Sequence, residues 1–169
     1  MKKNIFPLIL LLSVSIIANS QTEIGVEYQH GFGKSYHSNS IGSLYEGFSS
    51  GRSSWQLGAN YNFSSGTTKN SGFGISAGYR FGYGYGNSGN IFTGVRLSFT
   101  FYKDEKDSGF TQFTPSLEGG YHYTFNNFSK GGFFTPSIAY GHNFNFGSEG
   151  SKDDEVNLFI VRMSGGYRF

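Results

Sequence analysis

Seven ionisable side chains stand out by their setting. Glu23, Glu27, Arg80, Arg96, Glu118, Arg162 and Arg168 each adjoin an apolar or aromatic residue yet share their side of the local pattern with Gly, Ser, Asn and Gln. Carboxylates and guanidiniums in such company can neutralise one another in a buried network, or they can line a constriction that selects ions. Left unpaired in an apolar setting they would be costly, so the network is the expectation, with Gln56, Asn60 and Asn62 as further partners. The histidines are His30, His37, His122 and His142, and none is spaced from another as metal ligands commonly are. No metal, no cofactor and no catalytic set is expected from them. His122 shares the parity of the charges, whereas His142 falls on the apolar parity. The run Gly82-Tyr83-Gly84-Tyr85-Gly86 has the glycines of a phosphate loop, but a dinucleotide fingerprint needs a strand before it and a helix after it. No helical period follows, so the run reads as an aromatic-flanked turn.

What puts the charges on one side is a period of two. Ile24, Val26 and Tyr28 alternate with Glu23, Gly25, Glu27 and Gln29; Trp55, Leu57, Ala59, Tyr61 and Phe63 alternate with Gln56, Gly58, Asn60 and Asn62. Phe73, Ile75, Ala77, Tyr79 and Phe81 do so against Gly74, Ser76, Gly78 and Arg80, and Ile91, Val95, Leu97, Phe99 and Phe101 against Gly94, Arg96, Ser98 and Thr100. Three further strands are expected at 113–125, 134–146 and 158–169. Strict alternation is the mark of strands with two unlike faces.

Composition decides which kind of sheet this is. The chain is 37% hydrophobic but 19% aromatic, with 26 glycines and only 14% charged residues. Disordered chains are poor in aromatics, and a net charge of +2 offers no basic stripe for nucleic acid. A soluble sandwich would face water with Lys, Thr and Glu and pack an aliphatic interior. Here the polar face is Gly, Ser and Asn with a few charges, which suits the crowded interior of a narrow barrel whose aromatic face meets lipid. Only helices and closed barrels satisfy their backbone in lipid, so an alternating chain without an apolar helix must close.

The first twenty residues differ from the rest. Lys2 and Lys3 precede the apolar stretch Ile5 to Ile17, and Ala18-Asn19-Ser20 follows. That is the pattern of a secretory signal peptide cleaved after Ser20, leaving residues 21–169 as one barrel domain. The apolar run is shorter than the roughly 20 residues of a membrane-spanning helix. The chain has no cysteine, hence no disulfide framework and no thiol for a lipid anchor.

Seven clear strands would leave the termini on opposite sides of a membrane, whereas single-chain bacterial barrels have even strand numbers. An eighth strand is therefore assigned to Tyr36 to Phe48, where the alternation is poor; ten strands is the alternative. Eight strands make the connections at 64–71, 103–109 (KDEKDSG) and 147–155 (GSEGSKDDE) extracellular, and those at 49–52, 83–90 and 126–131 periplasmic. Closing such a barrel pairs the last strand with the first, which sets Arg168 and Arg162 near Glu23 and Glu27. Two repeats support the register: SAGYRF at 76–81 recurs as SGGYRF at 164–169, and Phe-Thr-Pro-Ser at 113–116 recurs at 134–137. Proline within a strand points to an edge or a bulge.

With these features the chain resembles the small outer-membrane β-barrel superfamily of the OmpA, OmpX and opacity-protein type, in the version common in Bacteroidota, which are Gram-negative. The resemblance spans residues 21–169 and is most specific at Gly166-Tyr167-Arg168-Phe169, where Tyr167 and Phe169 match the terminal aromatic signal read by the barrel-assembly machinery. It implies an integral outer-membrane protein among outer-membrane lipids and lipopolysaccharide with a side-chain-filled lumen; a monomer is favoured over an oligomer. A narrow porin-like channel is the alternative. The cluster His37-Ser38-Asn39 with Glu46 faintly resembles the His-x-Ser-Asn motif of outer-membrane lipid A deacylases. Its serine adjoins the histidine and it lies early in the chain, so a non-enzymatic barrel is the expectation.

Overall fold

The computed structural model describes residues 21–34, 36–48, 53–64, 71–83, 89–103, 109–125, 130–147 and 156–169. The expected leader at 1–20 lies outside the described residues, as do most of each expected connection and the glycine run beyond Tyr83.

The described chain is all strand: β1 (Thr22–Gly33), β2 (Tyr36–Phe48), β3 (Ser53–Ser64), β4 (Ser71–Tyr83), β5 (Gly89–Lys103), β6 (Gly109–Thr124), β7 (Gly131–His142), β8 (Phe144–Gly147) and β9 (Asn157–Arg168). Each pairs antiparallel with its neighbours, and β9 returns to pair with β1. β7 and β8 share one register against β6, Gly141 facing Ser116 and Phe144 facing Phe113, so they form a single stave interrupted at Asn143. The result is a closed antiparallel barrel of eight staves, the lower of the two strand numbers expected.

Register fixes the barrel's tilt. From Thr22 the pairs run through Gly47, Trp55, Tyr79, Val95, Leu117, Tyr140 and Phe159 and return to β1 at Phe32. One circuit thus climbs ten residues, 32 minus 22, and that stagger is what lets eight tilted strands close with an interior only as wide as its side chains.

The Tyr36–Phe48 region is a full strand, paired along its whole length with β1 and shifted against β3 only between Asn39 and Ser40. Its pattern is poor because the faces are mixed. Leu44 points into the lumen, 3% exposed, while Ser43 faces outward beside Ile41.

Both prolines of the Phe-Thr-Pro-Ser repeat fall in one seam. The β6–β7 ladder lacks pairs at Thr114 and Pro115 and again at Tyr121 and His122, the latter two opposite Pro136 and Thr135. The β5–β6 and β7–β9 ladders run unbroken past the same prolines. A proline has no N–H to give, and here each turns that deficit toward the other's strand.

Outside, the wall is apolar. Val26, Leu57, Ile75, Val95, Leu97, Leu117, Ile138 and Met163 stand exposed along its middle. Aromatic residues crowd both ends, with Trp55, Tyr79, Phe81, Phe125, Tyr167 and Phe169 on the side of the chain termini and Phe32, Tyr61, Phe73, Phe101, Phe144 and Phe159 on the other. An aliphatic band between two aromatic girdles is the exterior of a barrel that crosses a bilayer. No helix of the described residues is long and apolar enough to do so.

Candidate functional site

Inside the barrel the hydrophobic pattern is inverted. Four arginines (Arg80, Arg96, Arg162, Arg168) and four glutamates (Glu23, Glu27, Glu46, Glu118) are buried to 5% exposure or less. Their formal charges cancel. Long side chains fit there because their cross-strand neighbours are small: Glu118 faces Gly94 and Ala139, Arg96 faces Gly78 and Ser116, and Glu27 faces Gly42 and Ser164. A Cβ on Gly94 would lie 2.5 Å from the Tyr79 carbonyl oxygen and 3.0 Å from Arg80 Cγ. The abundant glycine is therefore space for charge.

Glu118 is the hub. Its carboxylate lies 2.7 Å from Arg80 Nε, 3.0 Å from Arg162 Nη1 and 3.5 Å from Arg96 Nη2, so one β6 residue ties β4, β5 and β9 across the lumen. Arg96 also donates to Glu27 Oε1 at 2.5 Å and to Gln56 Oε1 at 3.0 Å. Arg162 donates to Gln29 Oε1 at 3.0 Å and to Ser116 Oγ at 3.2 Å. Toward the chain termini, Glu46 accepts from Arg80 at 2.9 Å, from Gln56 at 2.8 Å and from Ser54. At that end Arg168 pairs with Glu23 at 2.6 Å, and His122 Nε2 lies 3.1 Å from the same carboxylate and 2.9 Å from Arg168 Nη2. The guanidiniums of Arg80 and Arg168 lie over Phe92 and Phe48, 4.2 and 4.5 Å from the ring centroids. Such contacts give buried guanidinium faces a partner that hydrogen bonds cannot.

The seven residues singled out in the sequence all point into this lumen, and His122 joins them. Arg162 lies near Glu27 across the closing seam, as expected, but its cross-strand partner is Gln29 and its side chain crosses the lumen to pair with Glu118. One expectation needs correction. Asn60 and Asn62 stay out of the ion network and line, with Ser40, Thr100, Asn143 and Arg162, a polar cavity of about 50 Å³ toward the loop end. Sequence reasoning missed Glu46, hidden in the irregular second strand. Four arginines against three glutamates was the signal that another carboxylate was needed.

Glu46→Gln is expected to keep the volume but weaken the bonds from Arg80 and Ser54, lowering stability by about 2 kcal/mol, as for a hydrogen bond to a charged group. Urea unfolding from lipid vesicles measures it, with the outward Leu57→Ala as a reference.

His30, His37 and His142 lie elsewhere, on the outer wall. His30 and His37 stack with centroids 6.2 Å apart, and the Nδ1 atoms of His30 and His142 each lie 2.9 Å from an asparagine Oδ1, of Asn39 and Asn157 respectively. Among the described residues no three His, Cys, Asp or Glu side chains gather as a metal site. His37 is exposed on the outer wall while Glu46 is buried in the lumen, so the structure does not bring together the His-Ser-Asn cluster and Glu46. Tyr167 and Phe169 point outward at the terminal rim with ring centroids 5.1 Å apart, and the Phe169 amide donates to the Thr22 carbonyl at 2.9 Å.

No protein-family model matches the chain, and no curated protein matches it in sequence. Among solved structures it is similar to neisserial surface protein A (NspA), with a TM-score of 0.60 over 88% of this chain and 95% of that one, at 11% sequence identity. The likeness is one of fold, a small closed β-barrel.

Proposed function

We propose that this chain is an integral protein of a bacterial outer membrane, exported by the leader at 1–20, whose barrel is sealed by its own side chains. Its role is structural and interactive: it reinforces the envelope and holds its connecting loops out for contact with ligands or partner proteins. The observation that carries this reading is the inside-out distribution of polarity, with eight charges paired in the lumen and a wall of exposed Ile, Leu, Val, Phe and Tyr. A water-soluble protein would expose that apolar area at a large hydrophobic cost, whereas lipid removes it. The terminal Tyr167 and Phe169 fit the signal taken by the barrel-assembly machinery of the resembled Bacteroidota group, and lipopolysaccharide and other outer-membrane lipids are the expected surroundings. Catalysis is no part of the proposal, and lipid A should be chemically unchanged in cells that express the protein.

A channel has one observation in its favour: cavities of about 30 and 50 Å³ lie on either side of the Arg96–Glu118 layer. Each has room for only a few waters, and in the layer between them Arg96, Arg162, Glu27 and Glu118 each have an ion-pair partner. Purified protein in planar bilayers is therefore expected to show no single-channel steps. Regular steps that vanish on replacing Arg96 would establish the channel instead.

A further inference from the structure

The repeated Phe-Thr-Pro-Ser segment, which the lumen does not explain, marks a site on the outer wall. Two hollows open along the β6–β7 seam where the prolines interrupt it. One, about 480 Å³, is bounded by Gly119, Tyr121, Pro136, Ile138 and Met163; the other, about 300 Å³, by Leu97, Pro115, Leu117, Tyr140 and His142. The seam's outward residues make them one path: 115, 117, 119 and 121 on β6 against 142, 140, 138 and 136 on β7. Gly119 leaves the wall bare there, and a Cβ added to it would meet only the Phe92 carbonyl oxygen at 3.7 Å. Leu117 and Ile138, at the centre of the path, are 65% and 68% exposed, the highest values among the exposed large apolar residues described. The wall has not filled this strip with its own side chains.

The geometry points to one acyl chain of a lipid A molecule lying in this groove, with a phosphate of its head at His142. The inference rests on the outer-membrane reading above. Hydrocarbon is what lies against the wall between the aromatic girdles, and a strip one side chain wide suits a chain better than the broad patch a second barrel would need. Its upper end carries the polar contact. Asn157 Oδ1 lies 2.9 Å from His142 Nδ1, which must donate to it, so an imidazolium at His142 would present its second N–H, at Nε2, to a phosphate at the mouth. That mouth is on the side of the connections at 103–109 and 147–155, the outer side in barrels with long external loops. Among the described residues on that rim, Lys103, His30, His37 and His142 face outward, and these are the cationic or hydrogen-bonding groups a phosphate would meet beside His142.

Native mass spectrometry of the purified barrel, with lipid A and phosphatidylglycerol added in competition, tests the assignment. The wild type is expected to retain one lipid A in preference. Gly119→Leu fills the groove without touching the lumen and should lower lipid A retention about tenfold, as expected for displacing roughly two methylenes. Ala77→Leu, on β4 and away from the seam, should change nothing, and His142→Ala should erase the preference over phosphatidylglycerol. Equal retention by wild type and Gly119→Leu overturns the groove; equal retention of the two lipids by wild type overturns lipid A as its occupant; a retained second barrel in place of lipid overturns both. Heat-dependent gel mobility of each variant reports that the barrel is folded. A wild type lacking that mobility shift and absent from membranes would overturn the outer-membrane reading itself, and the site with it.

Discussion

Replacing Glu118 by alanine is expected to destabilise the barrel by about 3 to 5 kcal/mol, the range for breaking a buried pair and leaving charge uncompensated. The size follows from its three partners. Arg80, Arg96 and Arg162 converge on this carboxylate at 2.7, 3.5 and 3.0 Å. Without it, three guanidiniums would share a confined interior with fewer anions than cations, and Arg162 would keep only neutral acceptors among its hydrogen bonds, Gln29 and Ser116. Urea titration of the protein folded in lipid vesicles should show the midpoint falling far more than for Leu97→Ala on the outer wall. Combining Glu118→Ala with Arg162→Ala should recover part of the loss, because the most dependent cation leaves with its partner. A Glu118→Ala midpoint within error of the wild type would mean that the network contributes nothing to holding the strands.

The closing seam should be equally intolerant, for a steric reason. Gly25 and Gly166 face each other where β1 meets β9. A Cβ on Gly166 would lie 2.1 Å from the Ile24 carbonyl oxygen and 2.5 Å from Gly25 Cα, and both of these are backbone. Nothing flexible can yield, so Gly166→Val has to push the two strands apart. Losing this pairing opens the barrel and leaves two strand edges in lipid, where each unsatisfied backbone group costs several kcal/mol. Gly166→Val is expected to abolish the heat-modifiable folded form and leave the chain sensitive to protease. Gly165→Val is the control one residue away: it faces outward and its nearest contact is 3.4 Å, so it should fold. A folded, protease-resistant Gly166→Val would show that the seam is looser than its geometry.

Much of this was legible in the sequence because a strand in a membrane barrel has two chemically opposed faces. β4 and β5 show it most plainly: Phe73 to Phe81 and Val95 to Phe101 alternate with small or charged residues, and the structure keeps that parity throughout. β2 was obscure for a physical reason. Leu44 and Phe48 lie on its lumen face and Ser43 and Gly47 on its outer face, so hydrophobicity no longer reports direction, and Glu46 was not counted among the lumen charges. The interior is also less polar than alternation implied. Phe92 and Phe133 fill the lumen near the terminal end, and Tyr102, Phe110, Leu158 and Ile160 near the loop end. The closing register was readable, since Arg168 does face Glu23. The reach of Arg162 to Glu118 was not, because a long side chain in a narrow lumen chooses among all the strands and not only its neighbours.

The central claim is a closed barrel, folded in an outer membrane, with its charges sealed inside. Separating the membranes of expressing cells by density and comparing unboiled with boiled samples on a denaturing gel tests it most directly. The account predicts that the protein sediments with the outer membrane, lacks residues 1–20, and runs at a different apparent mass until it is boiled. Recovery as a soluble periplasmic protein with the same mobility before and after boiling would contradict it.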